Sequence, residues 1–478
     1  MRRYISTLFL IAILLSGCDN FLYVEPTNQV AITSFDDVRA LMGAHLKDLK
    51  GMPGSKFGGA AVPFVKDPAR LILTYYSGDI DLKTYMDTYI GSNNRSDVNL
   101  SLQWQHTSVH TRTWSRLYNN IGYYNMVLEE LGKYPSDEQA LTEQVSGEAR
   151  VLRAWTFFQL VTLFVPYGEA EYGLPLNTAP ETVSDYDSSR PHQSKNYEFI
   201  ISELTEVLDY KGAFDPDYSL FYDKHIIHTI LAQVYLYKGG SAAGEAQDYE
   251  QAVKHARAAL ESGVSYAVFN RHLIEPQPGY YRNSGFALYD LVESGFEHQD
   301  LQGNMWAPVY PSAELLALYG DNDLRKSVYF DPMGNYAITK LETNTIYYGD
   351  EYVLFSGAEL KLIIAESLAR LGKEQEAEQE LREFAKSRYE AGTEPPYGNE
   401  PILTSILKER QKEFILDGVM SWVDKARTGA TITHPALDKE DGSTYTITKG
   451  DFRYTLPIPR NGELEYNKIP QNPGWGSF

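Results

Sequence analysis

Carboxylates are the first residues in this sequence that could do chemistry. Asp79 and Asp81 stand two positions apart in a polar stretch, and Glu409, Arg410 and Glu413 fall on adjacent turns of one helical pattern. A glycosidase needs two carboxyl groups at a set separation, one to protonate the leaving oxygen and one to activate water or attack. With 64 Asp and Glu among 478 residues such pairs are unavoidable, so their presence decides nothing. Alternate acids on a solvated turn account for Asp79 and Asp81, and a structural ion-pair network accounts for Glu409, Arg410 and Glu413. His106 and His110 share a helical spacing, as His225 and His228 nearly do. No His-Glu-x-x-His and no second cysteine completes a zinc site. A Gly-x-Ser-x-Gly elbow and a Walker loop are missing as well. These patterns name no catalytic residue, metal or cofactor.

Composition narrows the partners. Lys and Arg number 43 against 64 acids, a formal charge of −21, which argues against nucleic acid and anionic headgroups. The 43% hydrophobic and 22% charged content is that of an ordinary globular chain. The 36 tyrosines, beside 20 Phe and 6 Trp, exceed what core filling asks for. A phenol has a flat apolar face and a polar tip, suited to a wet recognition surface.

The single cysteine, Cys18, says where the protein lives. Arg2 and Arg3 precede a mostly apolar run from Tyr4 to Leu15, the size of a signal-peptide core and too short to span a bilayer. Leu15-Ser16-Gly17-Cys18 then resembles the lipobox of bacterial lipoproteins, in which the thiol is lipidated and the cysteine becomes the mature N-terminus. Residues 1–17 are expected to be removed. No later stretch is long and apolar enough to span a membrane, so the lipid is the expected attachment.

Apolar periodicity places the elements. Trp114, Leu117, Ile121, Tyr124, Leu128 and Leu131 recur at steps of three and four, with Gly132 as a stop. A second helix runs from Glu143 to about Phe164, ended by Pro166. Further helices are predicted over Asn196–Leu208, His225–Tyr237, Tyr249–Leu260, Ala358–Leu371, Gln375–Tyr389 and Ile402–Lys425, with a short strand at Thr444–Thr448. The segments 51–112, 165–195, 264–312 and 428–478 read as long loops rich in Gly, Pro, Asn, Asp and Tyr. Ile364, Ala365, Leu368, Gly372, Ala377, Leu381 and Phe384 occupy tetratricopeptide spacing. Leu231, Ala232, Tyr235 and Gly239, then Ala252, Ala256 and Ala259, fit it after a longer turn. Two such pairs predict an all-α partial solenoid, a stiff scaffold with insertions gathered on one face.

At this point the chain resembles the SusD/RagB-type lipoproteins of Bacteroidetes nutrient uptake over nearly its whole mature length. The likeness rests on Cys18 through Pro26, on Ile121 and Asn125, and on Glu148-Ala149 with Leu152-Arg153-Ala154. It continues through Glu359–Gly372, Glu409-Arg410, Glu413, Gly418, Trp422, Asp424 and Arg427. The most specific match is the tail, Leu456-Pro457-Ile458-Pro459, Asn467 and Gln471-Asn472-Pro473-Gly474-Trp475. Met420-Ser421 stand where the family usually has one Arg, Lys425 where it usually has Leu, and the turn after Phe164 is longer.

The resemblance implies a right-handed superhelix of tetratricopeptide-like helix pairs and one domain over 18–478. Its N-terminal part would cover about 18–195, its helix pairs and insertions about 196–390, and its closing segment about 391–478. It further implies an outer-membrane lipoprotein facing the exterior that binds an oligosaccharide, or a peptide, over a SusC-like TonB-dependent transporter, without catalysis. A surface glycoside hydrolase or lyase is the alternative from another class. Pyranose C–H faces stack on aromatic rings while Asn, Asp and Arg bind hydroxyls. The family's ligand residues lie in variable loops, so the selection is regional. It comprises Tyr85, Tyr89, Asn93, Asn94, Arg95 and Trp104 before the first long helix, and Tyr280, Tyr281, Trp306 and Tyr310 in the later insertion. Core packing is an equal alternative for Trp104 and Trp306.

Overall fold

A computed structural model describes residues 32–49, 68–81, 83, 95–105, 107–178, 187–215, 219–262, 285–288, 310–330, 352–415, 418–437, 439 and 441–476. Helices α1 (Phe35–Leu49), α2 (Pro68–Tyr76) and α3 (Arg95–Leu102) come first. Segment 51–112 is thus not all loop: it holds α2, α3 and the first residues of α4 (Thr107–Lys133). What its polar composition hid is tertiary burial, since Leu73, Tyr75 and Tyr76 of α2 all enter the core.

On α4 the predicted stripe is buried as its spacing requires, with Trp114, Leu117, Ile121, Tyr124 and Leu131 all inside. Helix α5 (Gln139–Phe164) is buried on nearly every side from Gln144 onward, because α4 packs on it from one direction and α6 (Gln193–Leu208) from another. Glu148 and Arg153 on it are engaged by neighbouring segments. The Glu148 carboxylate accepts from the backbone N–H groups of Leu220, Phe221 and Tyr222 at 2.7–3.0 Å, fixing the chain before α7 (Lys224–Gly240). Arg153 donates to Glu203 on α6 and to Asn125 on α4, and Asn125 donates to Asn177 O. The family-like residues of α4 and α5 are therefore the rivets of three helices.

The two predicted repeat pairs are α7 with α8 (Asp248–Leu260) and, after β1 (Gly285–Leu288), α9 (Ala313–Leu316), α10 (Leu324–Tyr329) and β2 (Tyr352–Ser356), α11 (Gly357–Arg370) with α12 (Glu374–Ala385). Helix α8 packs on α11, so the pairs stack into one superhelix. Ala252, Ala256 and Ala259 are fully buried, which lets α7 and α8 approach closely. Gln233 bridges α7 to Glu359 of α11 at 2.9 Å. Strands β1 and β2 pair antiparallel.

The predicted helix Ile402–Lys425 is two helices, α13 (Ile402–Glu413) and α14 (Gly418–Thr428). Ser421 Oγ donates to the Phe414 carbonyl, which a continuous helix would bond along its own axis, and Arg410 reaches Asp424 at 2.8 Å to tie α14 to α13 while α14 packs on α2. Helix α12 also ends earlier than predicted, at Ala385 and not Tyr389. After α14 a hairpin of β3 (Ile432–Pro435) and β4 (Thr444–Ile447) leads to the tail.

The tail's family-like residues close the molecule. Leu456 N donates to Leu163 O at 2.8 Å, and Asn472 Nδ2 donates to Phe164 O and Leu456 O. Gln471 pairs with both backbone groups of Ile458, and Trp475 Nε1 donates to Thr455 O. Gly474 has a φ of 82° and lies against Phe452, where a Cβ would collide with the ring.

Candidate functional site

Two regions far apart in sequence meet at the end of α2. Beyond Tyr76 the chain turns at Gly78 and runs extended through Asp79, Ile80 and Asp81. There Asp81 N donates to Tyr310 O at 2.9 Å, and Ser312 N donates to Asp79 O at 2.8 Å. The Ile80–Pro311 bridge completes a short antiparallel contact. The region before the first long helix and the end of the later insertion are thereby joined, and Tyr310 sits half-buried at their seam.

The Asp79 carboxylate accepts from Lys425 Nζ at 2.5 Å and from Gln411 Nε2 at 2.9 Å, and is 1% exposed. Lys425 also donates to Ser77 O. Asp79 thus ties the seam to α13 and α14. Trp104 is 0% exposed, with a φ of 57° that only a tightly packed non-glycine residue sustains. Its Nε1 donates to Tyr76 O at 3.1 Å, His434 lies against its ring and Arg453 covers it. The indole has no free face, so of its two alternatives core packing holds and Trp104 is withdrawn from the binding set. Arg95 opens α3. Cys18, Tyr85, Tyr89, Asn93, Asn94, Tyr280, Tyr281 and Trp306 lie outside the described residues.

Beneath the seam the acids singled out on α13 are fully engaged. Glu409 meets Arg325 and Lys412 at 2.5 Å and the Tyr389 hydroxyl at 2.6 Å. Glu413 pairs with Arg388 and Arg325. Burial alone would raise the Glu409 pKa, but Arg325 and Lys412 outweigh it and hold the carboxyl down at about 2. A carboxylate so held is a poor proton donor at neutral pH. Glu366 sits between Arg427, Arg370 and Arg410 and is likewise held low despite its burial. These are structural networks. His110 instead meets the Tyr76 hydroxyl, and His228 faces His255 with Nδ1 atoms 2.8 Å apart. Among the described residues no group of three His, Cys, Asp or Glu is placed to hold a metal ion.

A separate cleft of about 620 Å³ opens where α5, α7, α11 and α14 end against the tail. Val161, Val165, Gln193 and Tyr237 are among its buried lining, and Tyr167, Leu407 and Phe452 are among its more open lining. Burial raises the phenol pKa of Tyr167, Tyr237 and Tyr454, the last to about 12, so all three hydroxyls stay protonated. Nothing in the sequence foreshadows this cleft. Its lining is scattered from Val161 to Gly474, and no local pattern marks it.

Comparison with known proteins follows the same lines. Residues 76–210 match the family profile described as "Starch-binding associating with outer membrane", the SusD-like type. A SusD-like protein, P38, of Formosa agariphila is 22% identical, with 90% of this chain and 93% of that protein covered. A putative sugar binding protein of Bacteroides vulgatus shares the fold with a TM-score of 0.67 at 20% identity, over 94% of this chain and all of that one. A SusD-like carbohydrate binding protein of the same species gives 0.65 at 17% identity, over 91% and 97%. No described helix is long and apolar enough to cross a membrane. The riveted helices α4 to α6 lie inside the matched segment, and the similarity to P38 and to the solved structures runs over at least nine-tenths of the chain, so the chain is similar to SusD-like proteins in sequence and shares their fold.

Proposed function

We propose that the protein is a lipid-anchored binding protein of the outer membrane surface that captures an oligosaccharide and delivers it to a SusC-like TonB-dependent transporter, without cleaving it. One observation supports the choice of site: backbone bonds join 79–81, which precedes Tyr85 and Tyr89 in the sequence, to 310–312, which begins at Tyr310. The names of the relatives support the ligand class, since they are described as starch-, sugar- or carbohydrate-binding. The engagement of the α13 acids in ion pairs supports binding over catalysis. Residues 18–478 act as one unit in this proposal, attached through Cys18.

The mature protein is to be titrated calorimetrically with oligosaccharides chosen from a glycan array. Trp306→Ala or Tyr310→Ala is expected to weaken binding by about 1–3 kcal/mol if the ring stacks on ligand. Release of reducing sugar that a single carboxylate substitution abolishes would defeat the proposal, as would saturable binding of peptides alone. Cys18→Ala should leave the protein unacylated and absent from the outer-membrane fraction.

A further inference from the structure

The cleft at the helix ends shares no lining residue with the 79–81 and 310–312 seam. Gln193 lines it and is 0% exposed. Its Nε2 donates to Glu169 O at 2.8 Å, which fixes the amide, while its Oε1 meets no donor among the described residues. A buried amide carbonyl without a donor is costly, so the site asks for one from outside the protein.

The surroundings define that donor's carrier. Helices α5, α7, α11 and α14 end at the cleft while α6 and α13 begin there, so the helix dipoles select neither sign, and Glu169 and Asp451 along the lining disfavour an anion. Arg370 and Lys449 on the same walls disfavour a cation. Phe452, 41% exposed, and half-buried Leu407 give apolar faces at the opening. A ligand with hydroxyl donors, no net charge and one apolar face satisfies all four conditions, and the volume lies in the range of small-molecule sites.

We propose that this cleft is a second binding site, for a neutral mono- or disaccharide, in which a sugar hydroxyl donates to Gln193 Oε1 and a ring C–H face rests on Phe452. It stands independently of the seam.

The test titrates the mature protein with maltose and with cellobiose, and solves its crystal structure after soaking in each. Saturable binding of one disaccharide per cleft, with density beside Gln193, is expected. Ala426→Trp, which fills the cleft from half-buried Ala426 on α14, should weaken that binding at least about tenfold while the circular dichroism melt stays cooperative. An empty cleft in the soaked crystals, or affinity untouched by Ala426→Trp, overturns the proposal. Density only at the seam, or a peptide filling the cleft where disaccharides do not, overturns it too. Should Ala426→Trp fail to fold, the soaked wild-type crystals decide alone. Failure of oligosaccharide binding in Trp306→Ala concerns the seam and leaves this result intact.

Discussion

Lys425 stands where the resembled family usually carries leucine, and its partner explains the exchange. Asp79 is buried at the seam, and a leucine at 425 would leave its carboxylate with Gln411 as its one side-chain donor among the described residues. Removing one member of a buried ion pair costs about 3–5 kcal/mol, whereas replacing both by groups of similar volume is often neutral. Lys425→Leu is therefore expected to lower the urea midpoint strongly, and Asp79→Asn combined with Lys425→Leu to recover most of the loss. A double-mutant cycle with no coupling would show that the pair does not hold the seam. Trp104 belongs to the same scale. A tryptophan among Ser, Asn and Gln looks like a surface platform in sequence, and only the packing of His434, Arg453 and Tyr76 around it reveals a core residue. Trp104→Ala should cost about 3–5 kcal/mol of stability.

Elements built from local spacing were the legible part of this protein. The stripe on α4 and the small residues of the repeat pairs state their burial in their periods of three and four, so the helices and their pairing follow from sequence. The break between α13 and α14 does not, because Ser421 bonding to Phe414 O and Arg410 reaching Asp424 are tertiary choices that leave the apolar period intact. The cleft was illegible for the same reason, being made where helix ends from four parts of the chain converge. Glycines inside helices show how tertiary packing decides a sign. Gly122 on α4 has open space where a Cβ would go, and Gly147 on α5 has the Tyr222 ring there. In a helix interior, Gly→Ala gains about 0.5–1 kcal/mol from backbone entropy. Gly122→Ala should therefore stabilise by about that much. For Gly147→Ala the overpacking cost of about 1–3 kcal/mol exceeds the gain. Thermal melts of the two variants should move in opposite directions, and a shared sign would contradict the packing of α5 against the chain before α7.

For the whole molecule, burial of histidine sets the response to acid. His45 hydrogen-bonds to Tyr124, His255 lies against His228 and Tyr235, and His434 lies against Trp104. Burial lowers the pKa of each from 6.5 to about 4, with His228 and Lys254 adding to the effect at His255. At His434 the Tyr76 carbonyl opposes burial and Lys425 reinforces it. The unfolded chain therefore takes up protons from about pH 6.5 downward that the folded chain refuses until about pH 4. Stability is complete above the unfolded value and falls as pH drops through this window, by roughly 2 kcal/mol per histidine at pH 5. The depressed carboxylates act lower: Glu409, ordinarily near 4.5 and held at about 2, loses its contribution only between those values. Urea midpoints measured from pH 7.5 to pH 5 should fall steadily, before the carboxylates titrate. The triple variant His45→Gln, His255→Gln, His434→Gln should flatten that limb while keeping the steeper loss below pH 4.5. A wild-type profile level down to pH 5 would mean that these imidazoles accept protons in the folded state, and that the interior around α1, α8 and β3 is wetter than its packing requires.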